Sequence, residues 1–196
     1  MSASPLQVGV GGTWRISLLA LGLFLLTAAV FRPTPAVDFL NCDDDVYVSE
    51  NPYVLQGLTP GAVRWAFAGI HENYWIPLTW ISYLVDVEMH GGTARGFRIT
   101  NAALHGLNAA LVFLLLMTAT RRLVPSLLAA ALFALHPLRV ESVAWIAERK
   151  DVLSTGFALL GLLAYVLPGK RSWRTHLAVG LAMTASLMAK PMWVTF

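Results

Sequence analysis

The chain has 196 residues, of which 57% are hydrophobic and only 13% are charged, and its formal net charge is +3. Soluble domains carry roughly 25% charged residues, so this composition argues against an ordinary soluble protein and indicates a membrane protein. Scattered basic residues argue against nucleic acid as a partner, and a single cysteine, Cys42, excludes an internal disulfide and a cysteine-based zinc site.

Five apolar runs without charged residues predict the membrane-spanning helices. They cover residues 16–31, 99–120, 123–138, 152–169 and 175–189. Because a spanning helix needs about 20 residues, we predict an all-α polytopic membrane protein with about five transmembrane helices. The first run is predicted to be an uncleaved anchor, and a cleaved signal peptide is the alternative, since small residues follow its apolar core.

The acidic residues are confined to two segments. Eight of the eleven lie between Asp38 and Glu88, and the other three are Glu141, Glu148 and Asp151. Carboxylates are usually kept out of a bilayer unless they have a function. The two acidic segments are therefore predicted to lie outside the membrane.

Counting the predicted spans gives the domain organisation. Residues 1–31 hold the first helix, residues 32–98 form a large outer loop with an acidic motif, and residues 99–196 hold four further helices with a second acidic loop at 139–151. The connectors on the opposite side, Arg121-Arg122 and residues 170–174, are basic. By the positive-inside rule they face the cytoplasm, so both acidic loops are predicted to meet on the outer face.

The outer loop is predicted to carry two amphipathic helices that lie in the membrane interface. Thr59 followed by Pro60 is a favourable helix start, a capping oxygen followed by proline at the first helical position. A second helix begins at Pro77. The apolar face predicted for this second helix consists of Leu78, Ile81, Leu84 and Val85. The alternative is a small soluble cap that packs on itself.

The triplet Asp43, Asp44 and Asp45 is the first candidate site. Adjacent carboxylates repel one another, which raises the pKa of at least one of them unless a cation offsets the repulsion. Such a group suits a general base that takes a proton from an acceptor hydroxyl. Asp43 and Asp45 also suit a divalent cation bound through oxygen. A solvated acidic run is the alternative to both.

Polar residues on the apolar helices are the second set of candidates. Asn101, His105 and Asn108 form one stripe along the second span, which must face protein or a water-filled cavity. Hydrogen bonding between helices and contact with a ligand are both open. His136-Pro137 ends the third span and Lys190 closes the fifth. Lys190 is either a cation for a lipid phosphate or an ordinary interfacial lysine.

The second acidic loop combines carboxylates and cations over a short distance. Its charged members after the third span are Arg139, Glu141, Glu148, Arg149, Lys150 and Asp151. They form either a site between two spans or ion pairs on a surface turn.

Several segments, in order along the chain, resemble the TPR-containing protein O-mannosyltransferase group and its bacterial relatives, of the GT-C class of multi-span glycosyltransferases. The paired acid Asp43-Asp44 followed by Asn51 resembles the first outer-loop motif of that group. The other matching segments are residues 77–80, 101–105, 136–143, 148–153 and 189–192. The resemblance runs from about residue 38 to the last residue.

The resemblance implies transfer of a sugar from a polyprenyl-phosphate carrier to a protein hydroxyl, with inversion at the sugar carbon. It implies Asp43 and Asp44 as catalytic residues, one of them the base on the acceptor. The implied substrate-binding residues are Asn101, His105, His136, Glu141, Arg149, Asp151 and Lys190. The implied partners are the lipid-linked donor, a protein acceptor and the bilayer. A divalent cation, indicated only by the aspartate triplet, is an optional cofactor. The implied location is a bacterial inner membrane with the acidic loops facing the periplasm.

Two departures from the family pattern limit what the resemblance implies. Ile76 stands where members commonly have a histidine before the Pro-Leu-Thr segment, and the nearest histidine is His71. The sequence also holds no TPR repeat, so we expect the N-terminal portion of such an enzyme. The alternative is a non-catalytic membrane scaffold, or a truncated vestigial product that needs a partner. A transporter is disfavoured because no predicted span contains a carboxylate.

Overall fold

The structure is a computed structural model that describes residues 13–32, 34–36, 38–40, 42–167 and 172–195. Asn41, the connector residues Lys170 and Arg171, and the end of the predicted run 152–169 lie outside the described residues. Within the described ranges the chain is helical, and the one β contact is an isolated antiparallel bridge between His71 and Tyr74. The prediction of an all-α fold is confirmed.

Eight α-helices account for most of the described chain. They are α1 (Thr13–Val30), α2 (Pro60–Ala68), α3 (Pro77–His90), α4 (Ala94–Thr120), α5 (Leu123–Leu135), α6 (Arg139–Ala144), α7 (Arg149–Val166) and α8 (Trp173–Ala189). Single helical turns of other types lie at Thr34–Ala36, Asp45–Ser49, Val54–Gln56, Ile146–Glu148 and Pro191–Thr195.

Helices α1, α4, α5, α7 and α8 lie at the five predicted apolar runs. In the part of the chain that the structure describes, α4 is the one helix with both the length and the apolar composition to cross a membrane. Helix α5 has 13 residues, about 20 Å at 1.5 Å per residue, whereas the hydrocarbon core is about 30 Å thick. The number of spans beyond one therefore stays a prediction.

Helix α4 is the centre of the bundle, and α1, α5 and α7 pack around it, with α8 against α7. Close approach depends on small residues. A Cβ at Gly106 of α4 would lie 3.0 Å from Phe24 Cδ2 and 3.2 Å from the Phe24 carbonyl oxygen of α1. A Cβ at Gly161 of α7 would lie 2.9 Å from Met183 Cε of α8. Glycine at these two positions allows neighbouring helices to touch.

Successive helices of the bundle run in opposite directions, so that the two acidic segments come to the same end. At that end the Phe31 ring, just after α1, lies 5.3 Å from the His105 ring of α4. At the other end, Thr120 Oγ1 and Ser126 Oγ join the end of α4 to the start of α5 at 3.2 Å.

The segment between α1 and α4 forms a cap that has its own aromatic core and also packs on the bundle. The Trp80 ring is fully buried and lies 5.0 Å from Tyr47, 5.1 Å from Trp65 and 6.0 Å from Tyr83. The same core includes Ile146 of the second acidic loop. The cap is therefore continuous with the bundle rather than packed only on itself.

The predicted start of α2 is confirmed, because Thr59 Oγ1 accepts a hydrogen bond from the Ala62 N–H at 3.2 Å. Of the predicted apolar face of α3, Leu84 is buried, Leu78 and Ile81 are half-buried and Val85 is exposed, and its place in the membrane interface stays a prediction. On the side of α3 that faces the protein, the other buried residues are Pro77, Thr79, Trp80, Tyr83 and Asp86. Polar and aromatic residues occupy this face because their partners lie on α4, α7 and α8, which the local pattern of α3 does not reveal.

Candidate active site

Asp44 joins the two acidic segments. Its side chain is fully buried, and its two oxygens accept hydrogen bonds from the Leu40 and Ala147 N–H groups, each at 3.0 Å. Arg98 Nη2 lies 3.8 Å from Asp44 Oδ2. Burial raises the pKa of this carboxyl, and the two backbone hydrogen bonds and Arg98 oppose that rise. The two acidic segments are therefore in contact, and the membrane face on which they lie stays a prediction.

Asp43 and Asp45 differ from Asp44 in what their carboxylates contact. Asp43 is exposed and has a left-handed backbone, with φ of 64°. Its carboxylate makes no hydrogen bond or ion pair with any described residue. Asp45 Oδ1 accepts a hydrogen bond from the Val46 N–H at 2.9 Å. The described residues contain no group of three or more His, Cys, Asp or Glu side chains placed to hold a metal ion.

Four charged residues from the second acidic loop and the end of α8 form a cluster, called here the charged cluster: Glu148, Lys150, Asp151 and Lys190. Lys150 Nζ lies 3.0 Å from Glu148 Oε1, and Lys190 Nζ lies 3.3 Å from Glu148 Oε2. Lys190 Nζ also donates to Asp151 Oδ1. The cluster ties α7 to the chain that follows α8.

Lys190 provides a test of the charged cluster by pH. Burial acts to lower the pKa of Lys190, but hydrogen bonds and charge attraction from Asp151 and Glu148 outweigh it and raise the pKa above its ordinary value. Its stabilising contribution is therefore complete below the ordinary lysine pKa and is lost as pH rises through the raised one. We expect Lys190→Gln to lower the unfolding midpoint at pH 8 and to lower it less at pH 11. If Lys190→Gln lowers the unfolding midpoint by the same amount at pH 8 and at pH 11, the ion pairs of Lys190 with Asp151 and Glu148 are contradicted.

Tyr47, which belongs to the first acidic segment, contacts the charged cluster. Lys150 Nζ is 4.7 Å from the centre of the Tyr47 ring and 5.9 Å from that of Tyr74. Burial raises the pKa of the Tyr47 hydroxyl, and the negative charges of Asp43 and Glu148 raise it further. Asp43 and Glu148 of the charged cluster therefore act on the same hydroxyl.

Arg149 is wholly inside the protein. Its Nε donates to Asn101 Oδ1 at 2.7 Å and its Nη2 donates to the Phe97 carbonyl at 2.6 Å. The Nη2 atom also forms an ion pair with Asp86 Oδ2 at 2.5 Å, without the alignment of a hydrogen bond. The guanidinium carbon lies 4.8 Å from the Tyr83 ring. These contacts hold α3, α4 and α7 together.

Asp86 and Arg98 are buried charged residues that sequence reasoning missed. Asp86 is 2% exposed and also accepts from Thr100 Oγ1 at 2.7 Å. Arg98 is fully buried, and its Nε donates to the Ala144 carbonyl at 2.7 Å. Asp86 comes three residues after Tyr83, opposite the predicted apolar face of α3, so the local pattern indicates exposure rather than burial.

The polar stripe of α4 faces other helices. Asn101 Nδ2 donates to the Trp145 carbonyl at 3.3 Å, and His105 Nε2 lies 3.0 Å from the Ala134 carbonyl. Asn108 Nδ2 donates to the Val152 carbonyl at 2.7 Å. The structure therefore uses the stripe for contacts between helices, which was one of its two predicted roles.

His136 and Glu141 lie apart from the charged cluster. Both are exposed, and neither is hydrogen-bonded or ion-paired to the cluster in the described structure. His136 lines a cavity of about 540 Å³, together with Arg139, at the end of α5. Their predicted role in substrate binding stays a prediction.

Further hydrogen bonds connect segments that are far apart in sequence. Thr79 Oγ1 donates to the Ala189 carbonyl at 2.9 Å, and the Tyr83 hydroxyl donates to the Ile146 carbonyl at 2.9 Å. Trp145 Nε1 donates to the Cys42 carbonyl at 2.6 Å. These hydrogen bonds thus connect five segments into one structure: residues 42–44, 77–83, 98–101, 144–151 and 189–190.

The chain also resembles known proteins over part of its length. Protein O-mannosyl-transferase Tmtc1 of Drosophila melanogaster is 32% identical over 131 residues, which cover 65% of this chain and 15% of that protein. The chain is a relative of the protein O-mannosyl-transferases. TMTC4 of Mus musculus is 31% identical over 155 residues, and TMTC2 of Homo sapiens is 30% identical over 138 residues. Each match covers 65% of this chain.

The chain spans only 20% of the length of TMTC4 and 16% of that of TMTC2. No family model matches the chain. No solved structure matches it either.

Proposed function

We propose that this chain is the N-terminal, site-bearing portion of a GT-C membrane glycosyltransferase that moves a sugar from a polyprenyl-phosphate carrier to a protein hydroxyl. One observation carries the proposal: the hydrogen bond from Ala147 to Asp44 joins the first acidic motif to the second. Named relatives are protein O-mannosyl-transferases, which supports mannose as the sugar and a protein as the acceptor.

In the proposed reaction Asp43 is the base. Its exposed carboxylate takes the proton of the acceptor hydroxyl as the hydroxyl oxygen attacks the sugar carbon from the side opposite the phosphate. The bond from that carbon to the phosphate oxygen breaks, and the sugar configuration inverts. The lysines of the charged cluster offset the negative charge that develops on the departing phosphate.

Asp44 is a positioning residue in this proposal. Both of its oxygens are occupied by backbone N–H groups in the protein interior, so it is placed to hold the loop that carries Asp43 rather than to meet a substrate. A divalent cation at Asp43 and Asp45 remains a prediction, and the proposed steps do not depend on it.

The proposed setting is a bacterial inner membrane, crossed several times, with both acidic segments on the periplasmic face. Large apolar side chains are exposed on the outer faces of three bundle helices, where lipid would cover them. These side chains are Leu18, Leu21 and Leu25 of α1, Leu128 and Leu132 of α5, and Leu177 and Leu181 of α8. A lipid-linked donor would then approach the site from the bilayer.

The test is transfer of radiolabelled mannose by membranes that contain the protein at its full encoded length. We expect label in an acceptor protein when mannose is supplied on a polyprenyl phosphate, and none when it is supplied as a nucleotide sugar to membranes free of the lipid carrier. Label from the nucleotide sugar under those conditions would contradict the proposed donor. No label from either donor would contradict the proposed activity.

A membrane scaffold is the second candidate, and one observation favours it. The buried charges Asp44, Asp86, Arg98 and Arg149 are all bonded to other parts of the same chain, as expected of residues that only hold a fold together. A scaffold predicts that removing the exposed Asp43 carboxylate changes nothing, and the proposed enzyme predicts the opposite.

A further inference from the structure

A cleft of about 500 Å³ opens between α1 and α4, and the site described above does not use it. Its volume lies within the roughly 300–1,000 Å³ typical of small-molecule sites. The stripe of α4 that contacts the second acidic loop and α7 includes Asn101 and Asn108. The cleft lies instead where α4 faces α1.

The wall of the cleft on the side of α1 is apolar and ends in a cation. Phe24, Ala28 and Arg32 follow one another at intervals of four residues and line it, so they lie on one side of the helix and its C-terminal extension. The inner end is closed where Gly106 allows Phe24 to touch α4.

The wall on the side of α4 repeats this arrangement. Arg95, Ile99 and Ala103 line it, also four residues apart, with the arginine in the first turn of the helix. Because the two helices are antiparallel, Arg32 and Arg95 lie at the same end of the cleft. The small side chains Ala28 and Ala103 leave the space between the walls open.

The two charges at the mouth of the cleft have no ion-pair partner in the described part of the chain. Arg32 and Arg95 are exposed, and neither forms an ion pair with a described residue. The described residues that line the cleft include no carboxylate. Two guanidinium groups above an apolar slot match a phosphate diester that carries an acyl chain, since arginine binds phosphate oxygens strongly.

We propose that this cleft binds an anionic diacyl phospholipid, with its phosphate between Arg32 and Arg95 and one acyl chain along Ala28, Ile99 and Ala103. Arg95 is in the first turn of α4, the helix able to cross a membrane, which puts the two arginines at the level of the lipid headgroups. The apolar walls favour a lipid over free phosphate. The bound lipid would stabilise the packing of α1 against α4.

The test measures thermal unfolding of the detergent-solubilised chain with added phosphatidylglycerol, phosphatidylcholine or inorganic phosphate. We expect phosphatidylglycerol to raise the unfolding temperature and the other two additives to leave it unchanged. The double variant Arg32→Gln/Arg95→Gln should weaken the apparent affinity for phosphatidylglycerol by about tenfold or more. The matched control, Arg121→Gln/Arg122→Gln, removes two exposed arginines at the other end of α4 and should bind as the wild type does.

A second variant separates the cleft from surface charge. Ala103→Leu places a larger side chain at an exposed position of the cleft and should weaken phosphatidylglycerol binding while both arginines remain. The proposal would be overturned if phosphatidylcholine or inorganic phosphate raised the unfolding temperature as much as phosphatidylglycerol does. It would also be overturned if the two double arginine variants lost the same affinity for phosphatidylglycerol. Displacement of phosphatidylglycerol by an equimolar polyprenyl phosphate would also overturn it, because the cleft would then belong to the sugar donor.

Discussion

Replacing Asp43 with asparagine is expected to lower the rate of sugar transfer by about 100- to 10,000-fold, the usual contribution of a general base. The folded structure should not change. The Asp43 carboxylate makes no bond with the described residues, and its backbone φ of 64° is a conformation that asparagine adopts readily. The measurement is the initial rate of mannose transfer by the full encoded protein, paired with its unfolding temperature.

Variants of the two neighbouring aspartates, Asp45 and Asp44, are the controls for Asp43→Asn. Asp45→Asn removes a neighbouring carboxylate whose hydrogen bond stays within its own turn, and transfer should remain near the wild-type rate. Asp44→Asn should lower stability by about 1–3 kcal/mol, because an amide leaves one buried N–H group or Arg98 without its acceptor. If Asp43→Asn transfers sugar at the wild-type rate, Asp43 is not the base.

Replacing Arg149 with methionine is expected to destabilise the fold by about 3–5 kcal/mol, because it leaves a buried carboxylate without its cation. Arg149 and Asp86 are both nearly inaccessible, and the arginine also supplies donors to Asn101 and Phe97. The measurement is the free energy of unfolding of the protein in detergent micelles, obtained by adding denaturant. A loss below about 1 kcal/mol would contradict the buried ion pair.

The controls for Arg149 come from the same chain. Arg64→Met removes an exposed arginine of α2, and its effect should stay within about 0.5 kcal/mol, as is usual for surface substitutions. The double variant Asp86→Asn/Arg149→Met should lose less than the two single variants added together, since residues in direct contact are not independent. An additive double variant would show that the two side chains do not interact.

The sequence predicted helix positions well because they depend on local composition. Long apolar runs gave the positions of α1, α4, α5, α7 and α8, and the Thr59-Pro60 pair gave the start of α2. The side of α3 that packs against the protein was not predicted. A local pattern ranks residues by hydrophobicity, whereas the buried Asp86 is stable in place only because Arg149 lies across from it.

For the candidate site, the sequence indicated the residues but not which of them are buried and which are exposed. Asp43 and Asp44 are adjacent and chemically identical, yet Asp43 is exposed and Asp44 is fully buried between two backbone donors. Arg149 and Lys150 are likewise adjacent, and only Lys150 belongs to the charged cluster. Neighbouring side chains point in different directions, and which direction meets solvent depends on the packed partner.

By itself, the sequence determined the helical composition, the separation of acidic segments from apolar runs and the kinship with protein O-mannosyl-transferases. These properties depend on residue types and their order. Only the tertiary structure decided which charged groups became internal ion pairs and which remained exposed. The reason is physical: the cost of burying a charge depends on a partner, and here the partners lie far apart in sequence, as Arg149 and Asp86 do.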